Sequence, residues 1–149
     1  MPSLHDSEDR NKIKSRLQAI KPNATPKWGS MTVDQMMWHV GSTLELCLGT
    51  LPHGDEKSSA PPLPKPWLRA IVLNLPWPKG APTLPSVKAT NRYDLEAERA
   101  RALQLIETFA SRPLDGPWPV HPILGTMSGK QYSRLQAKHF NHHLTQFGV

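Results

Sequence analysis

The chain has 149 residues, with 18 Lys and Arg against 12 Asp and Glu for a formal charge of +6, one cysteine and 16 prolines. That length suits one ordinary domain, residues 1–149, able to bury roughly 68 to 70% of its unfolded surface, and a lone Cys47 excludes a disulfide framework. The basic residues are scattered instead of clustered with aromatics, which argues against specific nucleic-acid binding and leaves solubility as the consequence of the charge.

Proline is rejected from helix interiors, so its placement divides the chain into windows. The first, Ser3 to Lys21, opens on charges where a secretory signal would carry an apolar core. Within it Ile13, Leu17 and Ile20 recur at helical spacing behind Asp6 and Asp9. The second, Lys27 to Leu51, has Thr32 as an N-cap with Gln35 three residues on, then Val33, Met36, Val40, Leu44 and Cys47 along one face, and Gly49 as a stop. Met36, Met37 and Cys47 are expected to fill core space.

Nine of the sixteen prolines then fall between Pro52 and Pro85, inside a connection of roughly forty residues, too long for an ordinary loop. Its middle, PWLRAIVLNLPW, reads as a short helix packed over the remaining helices. Arg69 and Asn74 interrupt its apolar run, which falls far short of the roughly 20 residues that span a bilayer, so no membrane partner is expected. The expected setting is soluble and cytoplasmic.

The third long window, Ser86 to Arg112, carries Leu95, Ala102, Leu103, Ile106 and Phe109 at helical spacing. After RPLDGPWPVHPILGT, the fourth runs from Ile123 to Val149, with Ser128 and Gln131 as a capping box and Gly148 at the end. Strand-type alternation is nowhere sustained. Four amphipathic helices that must bury their stripes against one another predict an all-α fold, a four-helix bundle with a Pro-rich crossover between helices 2 and 3. So long a crossover lets helix 3 run parallel to helix 2 and leaves helix 4 antiparallel to both. Trp28, Trp67, Trp77 and Trp118 are expected in loops or at their edges, covering the bundle, and His5 and His53 in solvent.

The last helix contains KHFNHHLTQFGV. At about 100° of turn per residue, with Gln136, Phe140, Leu144 and Phe147 facing inward, His143 lies about 40° from the centre of that face, His139 about 80° and His142 about 140°. His139 and His143 are thus an i, i+4 pair able to reach one point, while His142 turns toward water. A third ligand has to come from another helix, and His39 is the only mid-helix histidine outside the last one. It lies about 10 Å from the start of helix 2, the depth of the pair measured from the end of helix 4, although about 100° from the centre of its own apolar stripe.

Three neutral imidazoles would make an open first shell for a divalent ion, a Lewis acid toward water or a thiol. Nitrogen donors suit Zn, Ni, Fe or Cu without choosing among them. On spacing alone a surface or hydrogen-bonded pair remains the alternative. Cys47, about 12 Å along the helix from His39, is too far to join the same ion, and His121 in VHPILG either packs in its turn or lines a pocket.

WGSMTVDQMMWH, KGAPT, DLEAERARAL, WPVHPILGTMSGKQYSRLQAKHF and NHHLTQFGV together resemble the DinB/YfiT-like superfamily, and within it a bacterial branch known only as a domain of unknown function. The likeness runs over essentially the whole chain. It implies a four-helix bundle with a long second crossover, and a divalent metal, Zn or Ni before Fe or Cu, held by His39, His139 and His143. The H-R-G-Q continuation common in the superfamily reads His143, Leu144, Thr145, Gln146 here. Gln146, with His121 and His142, is therefore expected in the pocket or around the ligands.

The resemblance further implies kinship with metal-dependent transferases or isomerases that activate low-molecular-weight thiols; the expectation here is a metal-dependent transferase or hydrolase acting on a small electrophile, with such a thiol as a candidate partner and a homodimer as an open expectation. The competing expectation is a non-catalytic bundle, a stress-related or interaction protein.

Overall fold

The computed structural model describes residues 1–53 and 61–149. Among them the chain is all-α: α1 (Ser7–Ala19), α2 (Val33–Leu48), α3 (Lys65–Asn74), α4 (Leu95–Ser111) and α5 (Gly129–Gln146), with a 3-10 turn at Pro85–Val87 and no strand. The helices begin where side chains can satisfy their first N–H groups. Asp6 accepts from the Asp9 N–H at 2.9 Å, Asp94 from Ala97 at 2.8 Å, and Ser128 and Gln131 cap one another reciprocally at 3.0 and 3.2 Å. At the start of α2 the Gln35 side chain accepts from the Thr32 N–H at 3.0 Å. Gly49 ends α2 at φ 77°, a left-handed conformation that a Cβ would oppose.

Side-chain pairings give the helix directions. Along α2 and α4 they ascend together, Asp34 with Arg92, Ser42 with Arg101 and the Leu48 carbonyl with Arg112, so these helices are parallel. Between α2 and α5 they descend, His39 with His139 and Cys47 with Gln136, which makes this pair antiparallel. α1 lies against α4 and α5: Arg10 and Lys14 meet Glu107, and Arg16 meets Asn141 at 2.5 Å. The enclosed core is fully apolar at its centre, with Leu17, Met36, Met37, Leu44, Ile106, Phe109, Phe140 and Leu144 each at 0% exposure. Every such side chain removed from water contributes about 1.5 to 3 kcal/mol.

The crossover is what closes the site. α3 buries Leu68 and Leu73 and is pinned at its middle and at its C-terminal end. Lys138 of α5 donates to the Val72 and Leu75 carbonyls at 2.6 and 2.5 Å, and Arg69 donates to the Leu124 and Thr126 carbonyls at 3.0 and 2.8 Å. Leu63, Trp67, Ile71 and Leu75, spaced by four residues, form an exposed row along α3, and of these Ile71 also lines the cavity beside the histidines. No described helix is long and apolar enough to cross a membrane.

Two expectations need correction. Trp67 sits in the first turn of α3 at 70% exposure, because the buried side of that helix is taken by Leu68. His5 is not solvated: its ring bonds Ser133 Oγ and the Arg112 carbonyl, each at 2.9 Å, and packs on Phe109. Arg99 is buried, since α1 ends in carbonyls that need donors, and its guanidinium supplies them to Leu17 and Ile20. In the proline-free window from Ser86, α4 begins at Leu95, the first of the helically spaced apolar residues, with Asp94 as its cap.

Candidate metal centre

His39 comes from the middle of α2, His139 and His143 from successive turns of α5, and the antiparallel packing brings them to one depth. One ring nitrogen from each lies within 4.8 Å of the other two, and His39 Nε2 stands 2.9 Å from His139 Nε2. All three rings are buried, at 3, 8 and 8% exposure. His39 leaves water although it flanks its apolar stripe, because the 3-10 turn of the crossover lies over it.

The opposite nitrogens are each tied down. His39 Nδ1 donates to the Val87 carbonyl at 2.6 Å; a carbonyl only accepts, so the hydrogen is on Nδ1 and Nε2 keeps its lone pair. Gln146 Nε2 donates to the Trp28 carbonyl at 2.8 Å, which orients the amide so that its Oε1 accepts from His143 Nδ1 at 2.7 Å. For His139, Thr43 Oγ1 donates to the Val40 carbonyl at 2.9 Å and so is free to accept from Nδ1 at 3.2 Å. In that state all three rings present bare Nε2 atoms to a common point.

Two bare lone pairs 2.9 Å apart repel unless positive charge lies between them. A divalent ion would meet that need, and nitrogens about 2 Å from a tetrahedral centre stand roughly 3.3 Å apart, inside the observed range of 2.9 to 4.8 Å. A hydrogen also meets it, if the Thr43 hydroxyl turns to donate into His139 Nδ1 and the ring carries its hydrogen on Nε2. Imidazolium is not a third option near neutrality. Burial pushes His39 down to about 4 and His143 to about 3, and it lowers His139 well below the ordinary value, with the neighbouring rings adding to the effect. Neutral imidazole is the ligand form, so the donor set fits a divalent ion.

Beyond the rings a cavity of about 350 Å³ opens between α2, α5 and the crossover, lined by Cys47, Leu68, Val72, Trp77, Leu84 and His121 among others. Cys47 accepts from Gln136 Nε2 at 3.0 Å. Burial pushes its thiol up to about 12, so it stays protonated. His121 both packs and lines the cavity: Nδ1 accepts from the Ile123 and Leu124 N–H groups, each at 3.2 Å. His142 does not simply face water; its ring lies between Trp28 and Trp77, each centroid 5.6 Å away, at the cavity edge.

Thr43 and Val87 had not been singled out from the sequence. Thr43 left a trace there, a hydroxyl one turn beyond His39 on the same flank of α2. Val87 left none, because it acts through its backbone.

Residues 75–148 match the family described as "Protein of unknown function (DUF1569)". The matched stretch contains His121, His139, His143, Gln146 and the Val87 carbonyl, and it stops short of His39. No curated protein and no solved structure matches the chain.

Proposed function

We propose that this protein is a metal-dependent enzyme of the DinB-like kind, a transferase or hydrolase acting on a small electrophile, in which α1, α2, α4 and α5 form a four-helix bundle and His39, His139 and His143 hold one divalent ion. One observation carries the proposal: three buried imidazoles converge while an oxygen acceptor stands at Nδ1 of each, from Val87, Thr43 and Gln146. Outer partners of that sort are what metal-bound histidines have in common. A surface histidine pair has no use for them.

Such an ion supplies Lewis acidity, by which water or a thiol that reaches it becomes the nucleophile at neutral pH. The chain does the rest. Val87, Thr43 and Gln146 hold the rings in one tautomer and orientation, so little reorganisation accompanies ion binding. Trp77 and the crossover keep bulk water from the inner end of the cavity, strengthening every electrostatic interaction there. Cys47 takes no part as a nucleophile, since its thiol stays protonated. A reducing cytoplasmic setting, in which that thiol remains free, belongs to the same proposal.

The direct His39–His139 contact favours a second reading, a non-catalytic bundle in which the trio is held by its own hydrogen bonds. Elemental analysis of protein purified without a metal-affinity tag separates the two. About one Zn, Ni, Fe or Cu per chain, lost in His139→Ala, is the expected result. A chain that stays ion-free after equilibration with each of these ions leaves only the second reading.

A further inference from the structure

We infer that the cavity beside the three histidines receives an uncharged, mainly apolar small molecule whose reacting group sits at the histidine end. The apolar body follows from the lining alone; the position of the reacting group rests on the metal reading above. Among the described residues that line the cavity none is Asp, Glu, Lys or Arg. A charged ligand moved there from water would lose several kcal/mol of hydration per charge with no opposite charge among those residues to replace it.

The polar lining groups offer little more, because they are engaged with one another. Gln136 Nε2 donates to Cys47 and its Oε1 stands 3.4 Å from Thr43 Oγ1, while Thr43 gives its one hydrogen to Val40 and accepts from His139. Besides the Thr83 hydroxyl and the His142 ring, which also line the cavity, two places stand out for a polar group on the ligand. One is the cluster of ring Nε2 atoms. The other is His121, whose Nδ1 already accepts two backbone N–H groups, so that neutral ring carries its hydrogen on Nε2 and offers one donor.

Size agrees with a compact organic molecule. At about 350 Å³ the cavity is a little over twice the ~150 Å³ apolar hole that accepts benzene, room for a bicyclic or short-chain aromatic body. Leu68, Val72, Trp77, Leu84 and Leu135 form its walls. This narrows the thiol expected from the sequence resemblance. A peptide-like thiol with two carboxylates and an ammonium group has no ionic partner among the described lining residues, whereas an aryl or alkyl thiol needs none.

The test compares two dyes that differ by one charge, uncharged N-phenyl-1-naphthylamine and its 8-sulfonate, titrated by fluorescence against ion-free full-length protein. The neutral dye is expected to bind at one per chain, at least tenfold tighter than the sulfonate. Ile71→Glu, at a cavity-lining position already 41% exposed and so tolerant of change, should weaken it at least fivefold. Trp67→Glu, on the same exposed row but absent from the lining, should leave it unchanged. Equal or tighter binding of the sulfonate, no saturable binding of the neutral dye, or a loss in Trp67→Glu instead of Ile71→Glu would each overturn the inference.

A second arm uses the Co(II)-loaded protein, reading the visible cobalt bands as phenylmethanethiol or glutathione is added. Phenylmethanethiol should shift them at a concentration at least tenfold lower. Failure to load cobalt or any of the other ions removes the metal reading and leaves the dye result to decide the apolar body. Loading with a preference for glutathione removes the inference and leaves the metal reading standing.

Discussion

Gln146 shows how much a single side chain can decide. Its amide spans from the Trp28 carbonyl to His143 Nδ1, so one residue fixes both the tautomer and the tilt of a ring. Gln146→Leu should leave the helix folded and lower affinity for Zn(II) by about 10- to 100-fold, the usual loss when an outer partner of a metal ligand is removed. Competition against a chromogenic chelator measures it, and an unchanged affinity would mean that the clamp is structural only. The three histidines were legible beforehand because rise and twist per residue convert sequence spacing into depth and azimuth. Their oxygen partners were legible only in part. Gln146 came from the family likeness, Thr43 had a faint signal, and a carbonyl 48 residues from His39 leaves no mark on a side-chain pattern. His142 illustrates the complementary limit: its outward azimuth is correct, but Trp28 and Trp77 arrive from loops whose course no periodicity describes.

At the level of elements, two joints hold the helices in register. Asp34 in the first turn of α2 accepts from Arg92 Nε and Nη2 at 2.9 and 3.0 Å and from the Tyr93 N–H at 2.9 Å, tying the approach to α4 against α2. Arg92 is largely exposed and regains water when released, so Asp34→Ala should cost about 1 to 3 kcal/mol, chiefly from the unpaired Tyr93 N–H. The second joint is Gly129, the first residue of α5. A Cβ there would overlap the Leu114 carbonyl oxygen and lie 2.8 Å from Leu114 Cα. Its φ is ordinary, so the constraint is steric. Gly129→Ala should therefore destabilise by about 1 to 3 kcal/mol, as overpacking does. Urea denaturation checks both; no change in midpoint for Gly129→Ala would show that the 113–118 loop yields freely. Helix identity was legible from proline spacing and caps, because both act locally, and helix direction from the length of the crossover. The path of the crossover was not, since α3 is held by Lys138 and Arg69 through carbonyls.

For the whole molecule, acidity is the natural probe. Burial pushes His121 down to about 4, below the roughly 6.5 of an unfolded histidine. Between those values the unfolded chain binds more protons than the folded one, so stability rises with pH. The contribution is complete above about pH 6.5 and drains away as pH falls toward 4. In the ion-free protein the buried trio acts in the same direction. Asp34 adds a further loss at lower pH, because hydrogen bonds from Arg92 hold its carboxyl well below the usual range against the opposing effect of burial. The melting temperature of ion-free protein should therefore fall steadily from pH 7 to pH 4, and His121→Gln should flatten part of that slope. A profile level between pH 7 and 5 would contradict it. If the trio holds Zn(II), free ion at a thousand times its dissociation constant adds about 4 kcal/mol at neutral pH.

The Val87 carbonyl that receives the His39 N–H has one more consequence. An ion drawing electrons from one side of that imidazole makes the N–H on its other side a better donor, so occupancy and the anchoring of the 3-10 turn reinforce each other, and by thermodynamic reciprocity by the same factor in both directions. Zn(II) should then slow limited proteolysis between Trp77 and Asp94, and a clip in that segment should loosen the grip on zinc even though every imidazole survives. A ligand set built only from helices would register neither effect.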